Sequence, residues 1–205
     1  MDTDVFRTWI LSAARVIEAN RDHLTQLDAA IGDADHGINL ARGFAAVTAA
    51  IGEATTPGAV LTATGATLIS KVGGASGPLY GVAFRRAGKA LGVAAEVDLA
   101  ALDAALEAAL AGVQQLGAAR EGDKTMVDAL APATRAFAGA IADGASQAGA
   151  LSALAAAAEA GAAATVSMEA RKGRASYLGP RSVGHEDPGA ASTALILAAL
   201  RDAAS

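Results

Sequence analysis

Residues 5–31, VFRTWILSAARVIEANRDHLTQLDAAI, place apolar side chains at 5, 9, 13, 16, 24, 27 and 31. Most of these positions lie three or four apart, the period of an α-helix with one buried face. Further helices are expected at 38–54, stopped before Pro57, and at 58–71, stopped by Gly73-Gly74. Others fit 78–91, with Pro78 in the first turn, then 98–116, 124–142, 147–171 and 188–203. That makes eight helices, and no segment shows the period-two alternation of a half-buried strand. Short connections imply antiparallel neighbours. The chain is therefore expected to be all-α, one domain over 1–205 built as an antiparallel eight-helix barrel or bundle.

The 205 residues are 53% hydrophobic but only 3% aromatic, so alanine, leucine, valine and isoleucine must build the core. Small side chains let helices approach closely, and alanine is the best helix former. A net charge of −5 argues against nucleic acid as a partner, since phosphate binding needs a basic face. The absence of cysteine excludes disulfides and thiolate zinc sites and fits the cytoplasm. Met1 is followed by Asp2 and Asp4 rather than a basic and then apolar run, so no signal peptide is expected. The alanine-rich stretch 148–166 is long enough to span a bilayer, but it carries Ser152 and Glu159 and reads as a buried helix.

The first helix runs into LDAAIGDADHGINLARGF (27–44), which crowds Asp28, Asp33 and Asp35 just ahead of His36. Ionised carboxylates this close repel one another unless a cation neutralises them. Hard divalent ions take oxygen ligands, and three carboxylates have the capacity for one or two. The alternative is a solvated helix end with capping aspartates. An EF-hand fails, because the twelfth position from Asp33 is Phe44 where a glutamate is needed. A zinc site using His36 and His185 lacks a histidine pair on one helix face.

Three more stretches carry candidate chemistry. KVGGASGPLYG (71–81) offers exposed amides ahead of a helix, an anion cradle. Its glycines four apart equally suit close helix packing. In GDKTMVDAL (122–130), Asp123 is expected to cap the sixth helix, and Met126 suits either the core or the face of a purine. The stretch 172–187, KGRASYLGPRSVGHED, shows no periodicity and reads as a structureless loop. With Arg171 it gathers Lys172, Arg174 and Arg181, which suit either phosphate oxygens or a solvated surface. Neither a P-loop nor a Rossmann fingerprint is present.

Taken together, LDAAIGDADHGINLARGF, VGGASGPLYG, GDKTMVDAL and RKGRASYLGPRSVGHEDPGA (171–190) resemble the nucleotide-binding L subunit of dihydroxyacetone kinase, in that family's order and spacing. The resemblance implies a barrel of eight antiparallel helices with ADP or ATP and two magnesium ions at one end. By match, Asp28, Asp33 and Asp35 would hold the ions. His36, Gly37, Ile38 and Asn39 would line the phosphates with Ala75 and Ser76. Gly117 and Met126 would bound the adenine pocket. Arg174, with Asp187, Pro188 and Gly189, would close over the nucleotide, and Arg174 would stabilise the transferring group.

Ala34, His36 and Asn39 resemble the phosphotransferase-dependent branch rather than the ATP-using branch, which reads G-D-G-D-C-G. In that branch ADP is a resident cofactor, rephosphorylated by the phosphotransferase M subunit. The phosphoryl group then passes to dihydroxyacetone held on a separate K subunit. Pro180 departs from the polar residue the family pattern suggests. Two alternatives stay open: a nucleotide-state sensor acting on a transcription regulator, and a directly ATP-dependent kinase for another short ketose. A homodimer also stays open, and no membrane partner is expected.

Overall fold

In the computed structural model, which describes residues 1–205, the long helix expected over 5–31 is two. Asp2 opens α1 (Thr3–Ala19) by accepting from the Val5 amide at 3.0 Å. Asn20 closes it, its amide and its side-chain Nδ2 both donating to the Val16 carbonyl, at 3.0 and 2.8 Å. Such local bonds offer the chain an alternative to helix continuation. α2 (Arg21–Ile31) then starts anew. The apolar stripe had already lapsed between Val16 and Leu24, and the break falls inside that lapse.

Seven more helices follow: α3 (His36–Ala50), α4 (Pro57–Lys71), α5 (Ser76–Leu91), α6 (Leu99–Gly117), α7 (Val127–Ala142), α8 (Gln147–Ala164) and α9 (Pro188–Ala203). Side-chain caps fix several starts: Thr56 accepts from the Ala59 amide, Asp98 from Ala101, Ser146 from Gly149 and Asp187 from Ala190. Pro57 and Pro188 each occupy a first turn, where a missing N–H costs nothing. α8 stops earlier than expected. The buried Thr165 bonds back to the Ala162 carbonyl at 2.6 Å and accepts from the Asp187 amide at 2.9 Å, so the chain turns away. The loop expected to be structureless contains a 3-10 segment, Arg174–Ser182, after a shorter one at Thr165–Ser167.

Eight helices close a ring in the order α1, α3, α4, α5, α6, α7, α8, α9 and back to α1. Neighbours alternate in direction; the connections are short except from α1 to α3, which passes through α2, and from α8 to α9, which carries the arginine loop. α2 stands outside the ring, packed on α3, α9 and the Arg174 segment. Gly37 permits this: a Cβ there would lie 2.0 Å from the Arg21 carbonyl oxygen. Phe6, Trp9, Phe84 and Phe44 form an aromatic chain inside the barrel, with successive centroids 5.9, 5.8 and 6.3 Å apart. Trp9 Nε1 donates to the Ile196 carbonyl at 2.8 Å and ties α1 to α9 across the closure. Residues 147–167 are long and apolar enough to cross a membrane by composition. In this fold they contribute a ring helix whose Leu151, Leu154 and Ala158 face the core while Ser152 and Glu159 face out.

Candidate functional site

The alternation of the ring brings the N-termini of α3, α5, α7 and α9 to one end. Each presents the positive pole of its helix there, so that end favours negative charge. A cleft of about 280 Å³ opens there, lined by residues from all four termini, from the acidic turn and from the arginine loop.

Asp28, Asp33 and Asp35 come together on the rim, and one carboxylate oxygen from each lies within 4.8 Å of the others. Asp28 is buried and organises the turn, Oδ2 accepting from the Asp35 amide at 2.8 Å and the His36 amide at 3.1 Å. Ala34 takes a left-handed φ of 61° to bend the chain back. Arg174 reaches over from its loop, Nε 3.0 Å from Asp33 Oδ2. The loop is seated by Ile31, Ala170 and Ala175, a small apolar cluster that joins it to the end of α2. Three hard oxygen donors, with no thiolate and no free imidazole among them, fit a magnesium-type ion.

A buried hydrogen-bond chain lies beneath the rim. His36 Nδ1 is 3.0 Å from Ser76 Oγ, and Nε2 is 2.9 Å from Ser192 Oγ. Ser192 Oγ also lies within donating reach of the Pro188 carbonyl at 2.9 Å and the Gly189 carbonyl at 3.2 Å. A neutral His36 ring donates through one nitrogen and accepts through the other, and its tautomer sets which serine receives the proton. Burial lowers the His36 pKa, opposed by the charges of Asp28 and Asp35, and favours the neutral ring this sharing requires. Tyr80 completes the chain, its hydroxyl 2.7 Å from Ser192, 2.9 Å from Thr193 and 3.0 Å from the Gly189 carbonyl. Burial pushes the Tyr80 phenol up to about 12.

The opposite wall is apolar, formed by Leu79, Val113, Gly117, Ala119, Met126 and Val127. Between the two walls stand Lys124 and Asp187. Burial pushes the Asp187 carboxyl up to about 7, and Asp128 adds to the effect. The Ala190 amide, the Lys124 charge and the Gly189 amide oppose it.

The cleft gathers His36, Ala75, Ser76, Gly117, Met126, Arg174, Asp187, Pro188 and Gly189 with the three aspartates. Gly37, Ile38 and Asn39 do not line it. Gly37 packs against α2, Ile38 is exposed, and Asn39 accepts from Arg42 at 2.8 Å. His36 contributes its ring, but both nitrogens are already engaged within the protein. Asp123 does not cap a helix start; Oδ2 accepts from the Arg120 amide at 2.9 Å, and Asp128 holds the turn before α7 by accepting from Gly122 and Thr125. The glycine stretch divides its labour. Gly74 to Ser76 line the cleft, whereas a Cβ on Gly77 would lie 2.4 Å from the Val72 carbonyl oxygen, a close-packing role.

Sequence reasoning missed Tyr80, Lys124 and Ser192. Helical register places Tyr80 one turn past Ser76 and Ser192 one turn past Pro188, on the same faces, a signal that was present.

Residues 30–202 match the DAK2 domain family. The chain belongs to that family. This DAK2 chain is 41% identical over 198 residues to the ADP-binding subunit DhaL of the PEP-dependent dihydroxyacetone kinase of Escherichia coli (strain K12), covering 96% of this chain and 94% of that one. It is 39% identical over 202 residues to the ADP-binding subunit DhaL of PEP-dependent dihydroxyacetone kinase 1 of Listeria innocua, covering 97% and 96%. Among solved structures, it is similar to the dihydroxyacetone kinase from C. freundii in complex with AMP-PNP and Mg2+. The TM-score is 0.72 at 27% identity, over 98% of this DAK2 chain and 34% of that longer one.

Proposed function

We propose that this chain is the ADP-binding subunit of a dihydroxyacetone kinase. ADP and two magnesium ions would sit at the open end of the barrel, and a phosphoryl group would pass from a phosphotransferase-system phosphoprotein (the M subunit) to dihydroxyacetone on a separate K subunit. One observation carries the reading: three carboxylates converge on a rim where four helix N-termini point, beside an apolar slot. Phosphates and divalent cations together satisfy both charges, and neither alone does.

Each group has a task in this reading. Asp28, Asp33 and Asp35 would hold the ions, which when bound neutralise charge on the phosphate oxygens. The amides at Ala75 and Ser76 would cradle phosphate, with the Ser76 hydroxyl oriented by His36. Met126 and Gly117 would flank the base. Arg174 would swing its guanidinium from Asp33 to the transferring group, a fork suited to phosphate oxygens. Phosphoryl transfer needs positioning and charge neutralisation above all, so no covalent nucleophile is required of this chain.

The test has two stages. ADP with magnesium at a hundredfold excess over its Kd should stabilise the protein by about 2.7 kcal/mol, read as a rise in Tm. Reconstitution with K and M subunits and phosphoenolpyruvate should then consume dihydroxyacetone. Turnover with free ATP but not with the phosphoprotein would replace this donor assignment by the directly ATP-dependent one. No dihydroxyacetone turnover with either, despite nucleotide binding, would leave the sensor reading and the kinase for another short ketose.

A further inference from the structure

Lys124 is the one charged residue among the largest fully buried side chains, 1% exposed. Its backbone is left-handed, with φ 61°, a conformation uncommon for a long side chain. The ammonium makes no ion pair. It donates instead to three main-chain carbonyls: Met168 at 3.1 Å, Ser182 at 2.6 Å and His185 at 2.5 Å. Three donors thus meet three acceptors, the full capacity of the group.

Those carbonyls sit on the two strands of one neck. Met168 lies where the chain leaves α8, and Ser182 and His185 lie where it returns to α9. Further bonds lace the neck itself: Gly184 N to the Val166 carbonyl at 2.7 Å, and Ala170 N to Ser182 Oγ at 2.9 Å. Lys124 does something these do not. It ties both strands to the turn that precedes α7, beside a second anchor from the Arg171 amide to the Asp123 carbonyl at 3.0 Å. The lobe beyond the neck carries Arg174, and the chain below it ends at Asp187.

From this geometry we infer that Lys124 is a positioning residue, a clamp that fixes the lobe over the cleft so that Arg174 faces the acidic rim. The inference rests on the nucleotide reading for its consequence in binding, but the clamp itself does not. The loop is a laced lobe with a rigid neck, and Lys124 is the charged tie between that neck and the turn before α7. An apolar replacement would orphan three carbonyls, and the planar fork of arginine does not match their arrangement.

Limited trypsin digestion tests the clamp directly, because Arg171, Lys172, Arg174 and Arg181 all lie in or beside the lobe. In Lys124→Met, cleavage there should accelerate tenfold or more while the helical circular dichroism signal stays intact. Lys124→Gln, which keeps two donors, should fall between that variant and wild type, and it serves if the methionine variant does not fold. Unchanged cleavage in a folded variant would overturn the clamp. Titration with ADP and magnesium reads the consequence. Lys124→Met and Arg174→Ala should each weaken binding about tenfold, and the double variant should be little weaker than Arg174→Ala alone. Multiplying losses would mean that Lys124 acts independently of Arg174, which overturns the positioning role. Wild-type protein that binds no nucleotide would remove the functional reading, and the digestion result would still decide the clamp.

Discussion

Arg174 Nε lies 3.0 Å from Asp33 Oδ2, so a guanidinium on a loop holds one member of the acidic turn. The pair is solvent-facing, with side chains 70% and 37% exposed, and contributes little to stability. Its interest lies in competition. A divalent cation in the acidic turn and the Arg174 guanidinium seek the same carboxylate. Arg174→Gln should therefore tighten manganese binding severalfold in the absence of nucleotide, yet weaken binding of ADP with magnesium about tenfold. Calorimetric titration of each ligand checks both signs. Weakening of both would mean that the arginine assists the cation instead of rivalling it.

The three aspartates should separate by role when metal is withheld. Asp28 accepts two amides and shapes the turn, so Asp28→Ala should cost about 1–3 kcal/mol even in EDTA. Asp35 is only half-buried, and no side-chain bond to it stabilises the turn. Asp33→Asn and Asp35→Asn should leave the metal-free Tm unchanged or slightly raised, through relief of repulsion. Either one should abolish the magnesium-dependent part of the ADP-induced rise. A full rise in the Asp33→Asn, Asp35→Asn double variant would remove these residues from the metal assignment.

Asp187 gives a pH dependence with a definite sign. Its carboxyl is pushed up to about 7, chiefly by burial, from 3.8 in the unfolded chain. Between those values the folded state holds the proton more tightly, so stability falls as pH rises, and the loss is complete above about pH 7. Asp187→Asn keeps an oxygen to cap the Ala190 amide and has no proton to lose. Wild type should therefore lose up to about 4 kcal/mol relative to that variant between about pH 4 and pH 8. His36 acts oppositely: burial lowers its pKa, so its contribution is lost as pH falls below the ordinary imidazole range. The variant's stability optimum should lie at higher pH than that of wild type. Parallel urea titrations across that range would expose a flat difference, the result that denies the Asp187 assignment.

Much of this architecture is legible in periodicity. Apolar spacing located the ring helices because burial on one face is what the period reports. It joined α1 to α2 because Asn20 is compatible with a helix by composition, and its bonds to the Val16 carbonyl belong to local geometry rather than to spacing. α8 ends short of its apolar pattern for a tertiary reason: the Thr165 hydroxyl is needed by the Asp187 amide from a distant part of the chain. The acidic turn was visible because crowded like charge is itself an anomaly. Lys124 was not, since a lysine in a turn looks solvated until its three carbonyl partners converge on it. Gly37, Ile38 and Asn39 follow the acidic turn in sequence, but the helix that starts at His36 carries them away from the cleft within one turn.

Tyr80 offers the last test, because it lines the cleft while its hydroxyl is engaged with other groups of the protein. Its hydroxyl joins Ser192, Thr193 and the Gly189 carbonyl, all on α9, from a position on α5 across the end of the barrel. Tyr80→Phe keeps the ring and removes the hub, which should cost about 1–2 kcal/mol. The loss should extend further than stability. Ser192 would be free to turn its proton, the His36 ring would lose its fixed sharing of protons, and Ser76 its defined orientation toward the cleft. Nucleotide affinity should fall severalfold in Tyr80→Phe and in Ser192→Ala alike. Because both act through one chain of bonds, the double variant should be scarcely weaker than either single one. Affinity losses that simply multiply would show that the chain does not carry orientation from Tyr80 to Ser76, and would confine Tyr80 to joining the two helices.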